Sequence, residues 1–255
     1  IFRGGKWKGI RNIQNMFIFG DSYSSVNDDD SFMPHPTREQ PLGTPFPGDP
    51  WTERGPNWVG HLVRVHQPQL KVYDYAKGGA TISGLSTQIR KKFLARHATS
   101  VQWSASDSLF VLWIGINDLA ETSNPVQSIQ LLFQLMGELH NAGARNFLLL
   151  DCPPIHRTPN SGDPESGPNS DRFEDWNGLF PVTTPNGVGV GGDTSVFVFS
   201  SWSTFMSILD YPEAYGFDED EVDEAQGPVW MDDLHPTSKV HGILAKHLNK
   251  FLTDI

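Results

Sequence analysis

Four short, mostly apolar runs punctuate the chain: Phe17–Phe19, Lys71–Tyr75, Leu109–Ile114 and Asn146–Leu150. Each is short for a helix, and each is followed within a few residues by Gly or Asp. That is the pattern of a strand buried on both faces. Between them lie segments whose apolar residues recur at helical spacing. The clearest runs from about Pro125 to Asn141, with Val126, Ile129, Leu132, Phe133, Met136 and Leu139 along one face. Asn124 fits its N-cap, Pro125 its first position, and Gly143 lies just past its end. A second helix is expected from about Ser238 to Leu252, and others near Trp58–Val65 and Ile82–Arg96. Strands alternating with helices predict a parallel sheet with crossover helices. The expected fold is an α/β three-layer sandwich (α/β/α), with a mostly parallel, flavodoxin-like sheet of about five strands. A short fifth strand is expected near Val229–Met231. The 255 residues fit one such domain, residues 1–255.

Two stretches break the alternation. Asn27–Asn57 contains seven prolines, and Pro153–Asp193 is rich in Pro, Gly, Asn and Asp. Both follow strands, so both belong at the sheet edge where α/β folds bind ligands, and they are expected to wall a substrate cleft. Trp51 and Trp176 lie in them and are candidates for stacking on a sugar ring. His35 and His156 are weaker candidates for substrate contact.

Charge removes some function classes. The formal net charge of −11 disfavours nucleic acid and anionic membrane as partners. The acidic run Asp218–Glu221 lacks the ligand spacing of a calcium loop and reads as a solvated surface. Cys152 is the one cysteine, so no intrachain disulfide is possible, and its setting after Phe147–Leu150 reads as a small buried residue. No apolar run is long enough to span a bilayer. The numbering opens at Ile1 rather than Met, so the first residues carry no information about a targeting segment. No histidine cluster has zinc-site spacing. The glycines at 187, 189 and 192 match a dinucleotide-binding pattern, but no clear strand precedes them.

The chemistry gathers at the strand ends. Phe17-Ile18-Phe19 runs into Gly20-Asp21-Ser22, which places a serine on the turn after a buried strand. Near the other end stands Asp232-Asp233-Leu234-His235. An acid three residues before a histidine can hold the imidazole in the tautomer that accepts a serine proton. A hydrolase also needs donors aimed at an oxyanion. Tyr75-Ala76-Lys77-Gly78-Gly79-Ala80 offers backbone N–H groups with no side chain in the way. Gly115-Ile116-Asn117-Asp118 offers an amide. Taken singly, each segment also reads as an ordinary turn or helix cap.

Together, in this order and spanning Gly20 to His235, the four blocks resemble the GDSL/SGNH hydrolase superfamily. Tyr23 stands where many members carry Leu, and Asp74 where the family often has Asn. The resemblance implies a catalytic Ser22, His235 as general base and Asp232 as its orienting acid, with Asp233 the alternative in register. It implies an oxyanion hole made by the N–H of Ser22, the N–H of Gly79 and the side chain of Asn117, with Gly78 the neighbouring alternative. Within the superfamily the chain looks most like fungal acetylesterases of carbohydrate esterase family 16, on Phe19–Ser24, Asp74–Ala80 and Cys152–Pro159. That likeness implies removal of acetyl groups from acetylated sugars or xylo-oligosaccharides, outside the cell and without a cofactor. Rival expectations are a lipase or phospholipase acting on longer acyl chains, and a non-catalytic carbohydrate-binding protein on the same fold.

Overall fold

The computed structural model describes residues 1–121, 124–161, 170–183 and 192–255. Among them, five strands form one parallel sheet: β1 (Asn15–Gly20), β2 (Lys71–Asp74), β3 (Ser108–Trp113), β4 (Asn146–Leu150) and β5 (Ser195–Phe199). The spatial order is β2-β1-β3-β4-β5. Every residue of β1, β3 and β4 is buried, which explains their unbroken apolar character. Phe17 pairs in register with Tyr73 and Phe110, and its ring stacks on both at 4.8 Å. Phe93 closes on the same ring from the helical side. Truncating Phe17 to alanine would cost about 3–5 kcal/mol.

Among the described residues, seven α-helices flank the sheet: α1 (Trp58–His61), α2 (Ile82–Thr87), α3 (Ile116–Glu121), α4 (Val126–Asn141), α5 (Asp171–Thr183), α6 (Ser201–Asp210) and α7 (Ser238–Asp254). α1 continues as π-helical turns over Leu62–His66, and α2 over Gln88–His97. α1 and α6 pack on α7, while α2 and α5 pack on α4, which builds the two helical layers. Among the described residues, no helix is long and apolar enough to cross a membrane. Pro125 occupies the N-cap of α4 rather than its first position, and Asn124 Oδ1 accepts the Val126 N–H at 3.2 Å.

Three expectations change. The fifth strand is Ser195–Phe199, not Val229–Met231. Val196-Phe-Val-Phe199 carries a strand signal of its own, but it directly follows a glycine-rich stretch that reads as loop. Trp230 instead makes an isolated antiparallel bridge to Pro236, which closes the turn around His235. The stretch Pro153–Asp193 is not irregular throughout. It holds α5, whose Phe173, Trp176 and Phe180 recur at helical spacing and are all buried. α3 and α6 are additional. The short pattern of α3 starts beside Gly115, in a block that reads as a turn, and that of α6 starts at Ser200, whose side chain caps the helix by accepting the Ser203 N–H at 3.0 Å. Gly187 and Gly189 of the glycine pattern lie outside the described residues.

The topology sets where chemistry can happen. β1 pairs with β2 on one side and β3 on the other, so the crossovers diverge between β1 and β3. At such a switch point a crevice opens beyond the C-terminal strand ends. Gly20 pairs with Trp113, so the turn after β1 and the turn after β3 emerge side by side.

Candidate active site

The turn after β1 is built around Asp21. Its carbonyl accepts the N–H groups of Ser24 and Ser25, both at 3.1 Å, and its Oδ1 accepts the Tyr23 N–H at 3.1 Å. These bonds reverse the chain sharply and leave Ser22 at its tip, in the manner of an Asx-type turn. The Asp21 side chain is fully buried. Burial pushes its carboxyl up to about 7, the Tyr23 N–H pulls it down, and the negative charge of Asp118 pushes it up again.

The histidine lies 213 residues further along the chain and meets the serine directly. His235 Nε2 is 2.9 Å from Ser22 Oγ, and His235 Nδ1 is 2.8 Å from Asp232 Oδ2. Asp232 Oδ1 accepts the backbone N–H groups of Leu234 and His235 at 2.8 and 2.7 Å. Partial burial alone would raise the Asp232 carboxyl. The His235 and Leu234 N–H groups and the imidazole outweigh it and hold Asp232 below the ordinary carboxylate value. An ionised Asp232 keeps the Nδ1 proton in place and leaves Nε2 free to accept from Ser22. Asp233 takes no part in this relay; its carbonyl accepts the Asn160 N–H. The loop is closed at its base by Met231 N–H to the His235 carbonyl and Thr237 N–H to the Val229 carbonyl.

Tyr23 joins the two halves of the site. Its hydroxyl donates to the Leu234 carbonyl at 2.6 Å, tying the serine turn to the residue before His235. Nothing in the sequence marked this position as more than a substitution for Leu.

The donors on the other side are braced as closely. The Gly78 N–H donates to Asp28 Oδ1 at 2.7 Å and is therefore occupied. Gly79 has a left-handed backbone (φ +70), is exposed, and would have open space around a Cβ. Neither its N–H nor that of Ser22 has a partner among the described residues. Asn117 Nδ2 donates to the Ala80 carbonyl at 3.0 Å, which ties the turn after β3 to the glycine turn. Asp118 accepts the Ile82 N–H at 3.0 and 3.1 Å, fixing the start of α2. Asp74 stands where the family often has Asn, and it braces the turn after β2. Burial raises its carboxyl well above the usual range against the pull of the Ala76 and Val26 N–H groups, and its Oδ1 accepts the Ala76 N–H at 2.8 Å.

The two tryptophans separate. The Trp51 ring stacks on His235 at 4.9 Å between centroids and 23° between planes, and it remains 39 % exposed. Trp176 is wholly buried, so it does not offer a face to a sugar. A Cβ on Gly115 (φ +130) would lie 2.7 Å from the Trp176 indole, so this ring supports the turn that carries Asn117. The long loops accordingly differ. Asn27–Asn57 walls the site with Trp51 and Asp28, whereas the later stretch sends α5 into the core. His35 packs on His97, and His156 stacks on Trp202; neither ring contacts Ser22 or His235.

Comparison with known proteins bears on the family and the fold. The family model of the GDSL-like lipase/acylhydrolases matches residues 16–248. An acetylesterase from Thermothelomyces thermophilus is 29 % identical over 261 residues, covering 91 % of this chain and 85 % of the relative. Two solved structures share the fold at low identity. One is LAE5, an alpha/beta hydrolase from the metagenome of Lake Arreo, with TM-score 0.59, 15 % identity and coverage of 98 % and 96 % of the two chains. The other is a catalytic mutant of Axe2, an acetylxylan esterase from Geobacillus stearothermophilus, with TM-score 0.57, 16 % identity and coverage of 98 % and 95 %. With the match running from β1 nearly to the end of α7, the chain belongs to the GDSL-like lipase/acylhydrolase family and is a carboxylic ester hydrolase.

Proposed function

We propose that the protein is a serine acetylesterase acting on acetylated carbohydrates, such as xylo-oligosaccharides, outside the cell. The observation that carries the mechanism is the relay Ser22 Oγ to His235 Nε2 at 2.9 Å and His235 Nδ1 to Asp232 at 2.8 Å. Ser22 Oγ attacks the acetyl carbonyl carbon while its proton passes to His235 Nε2. The carbonyl electron pair moves onto oxygen, where the N–H groups of Ser22 and Gly79 and the Asn117 amide receive it. Collapse breaks the bond to the sugar oxygen, which takes the proton from Nε2. Water then adds to the acetyl-enzyme by the same route, releasing acetate and restoring Ser22.

Two features support a hydrophilic, acetylated substrate. A cavity of about 290 Å³ beside Trp51 is lined by Asp28, Asp49, Pro50, Thr52 and Met231, a mixed wall in which two carboxylates and a hydroxyl stand beside an aromatic ring, a proline and a methionine. The relative from Thermothelomyces thermophilus is itself an acetylesterase. Hydrolysis of p-nitrophenyl esters from acetate to octanoate, with Ser22→Ala as control, tests the reading, followed by acetylated xylo-oligosaccharides. A preference for acetate that disappears in Ser22→Ala is the expected result. A maximum at longer chains would make the enzyme a lipase, and turnover undiminished in Ser22→Ala would remove Ser22 from the mechanism.

A further inference from the structure

Trp51 is tied to the histidine loop by bonds that need no ligand. Two residues after it, Glu53 Oε2 accepts the Ser238 N–H at 2.8 Å at the start of α7, where the N-cap Thr237 makes no side-chain cap bond. Ser238 Oγ donates back to the Pro56 carbonyl at 2.7 Å. The loop carrying Trp51 is thus latched to the helix that begins three residues after His235. On the other side, a Cβ on Gly78 would lie 3.0 Å from the indole and 2.9 Å from Asp28. The absence of a side chain there lets the ring settle over His235. The stacking distance of 4.9 Å is inside the range at which an aromatic face attracts a cation.

We infer that Trp51 is a positioning residue whose indole face stabilises the protonated form of His235 during turnover. This rests on His235 acting as the general base. The imidazole must become an imidazolium each time Ser22 gives up its proton, and a ring with a negative face beside it favours that change. Other groups face His235 as well: Asp232 on its own loop, Ser22 and Tyr23 on the turn after β1, and His241 on α7. Asp232 supplies the negative charge. His241 is fully buried and held neutral, its value lowered to about 3 mainly by burial. Trp51 covers the imidazole from the solvent side without adding charge.

The test compares Trp51→Phe, which keeps an aromatic face, with Trp51→Leu, which keeps apolar cover and removes it. NMR titration of the His235 ring in a Ser22→Ala background, assigned by its loss in His235→Gln, reads protonation without turnover. The His235 midpoint is expected to fall by about half a unit to one unit in Trp51→Leu and by much less in Trp51→Phe. The acid limb of kcat/KM on p-nitrophenyl acetate, with Ser22 intact, is expected to move the same way. An unchanged or raised midpoint in Trp51→Leu overturns the inference, since cover alone would then explain the contact. Should Trp51→Leu fail to fold, Trp51→Met makes the same comparison. The NMR readout stays interpretable if Ser22-dependent turnover is absent, so the two readings fail separately.

Discussion

Asp28 Oδ1 accepts the Gly78 N–H at 2.7 Å, and this bond occupies the first N–H of the glycine pair while that of Gly79 has no partner among the described residues. Lys77 strengthens the junction, reaching Asp30 at 3.0 Å and the Asp28 carbonyl with the same ammonium group. Asp28→Ala is expected to loosen the glycine turn and lower kcat by about 10- to 100-fold, the scale of a donor displaced by an ångström or so. Asp28→Asn keeps the acceptor and should recover most of the loss. Equal kcat in wild type and Asp28→Ala would show that Gly79 needs no such brace.

Asn117 has a second amide hydrogen beyond the one given to Ala80. Asn117→Ala is therefore expected to lower kcat by about 10²–10³-fold with a small change in KM, because the donor acts on charge that develops in the transition state. Ser22→Ala should lose several powers of ten. Steady-state kinetics on p-nitrophenyl acetate measures both, and an Asn117→Ala effect confined to KM would argue against the oxyanion role.

Trp176 is expected to matter for stability rather than sugar recognition. Its indole is wholly buried under the Gly115 turn. Trp176→Ala should cost about 3–5 kcal/mol in urea unfolding. Its ratio of kcat/KM for an acetylated oligosaccharide to that for p-nitrophenyl acetate should match wild type. A selective loss on the oligosaccharide would return Trp176 to the substrate site.

Asp21 couples stability to pH. Its carboxyl ionises near 3.8 in the unfolded chain and near 7 in the fold. Between those values the folded state holds a proton that the unfolded state has released. Stability from this group therefore falls as pH rises through the window and stays lower above it, by up to about 1.4 kcal/mol per unit. Asp74 shifts in the same direction. Asp232 works in the opposite sense, and its contribution fades as pH falls through its lowered value. Asp21→Asn should gain stability relative to wild type between pH 5 and pH 8 in thermal unfolding. A constant difference across that range would contradict the assignment.

Much of the architecture was legible in the chain by itself. Four strands, the two long helices and the four chemical blocks are written in local patterns, because burial on both faces, helical spacing and tight turns each constrain a few neighbouring residues. The serine turn and the Asp232-to-His235 spacing belong to this class. What needed the tertiary structure were contacts between distant segments. Trp51 and Trp176 look alike in sequence, each an aromatic in a Pro- and Gly-rich stretch, yet one covers His235 and the other fills the core. The Gly78 N–H is occupied by Asp28, some fifty residues earlier. Tyr23 reaches a carbonyl 211 residues away, and Glu53 a backbone N–H 185 residues away. Local sequence sets which turns can form. Packing of the sheet and its two helical layers decides which side chains those turns bring together, and that is where the chemistry of this site is determined.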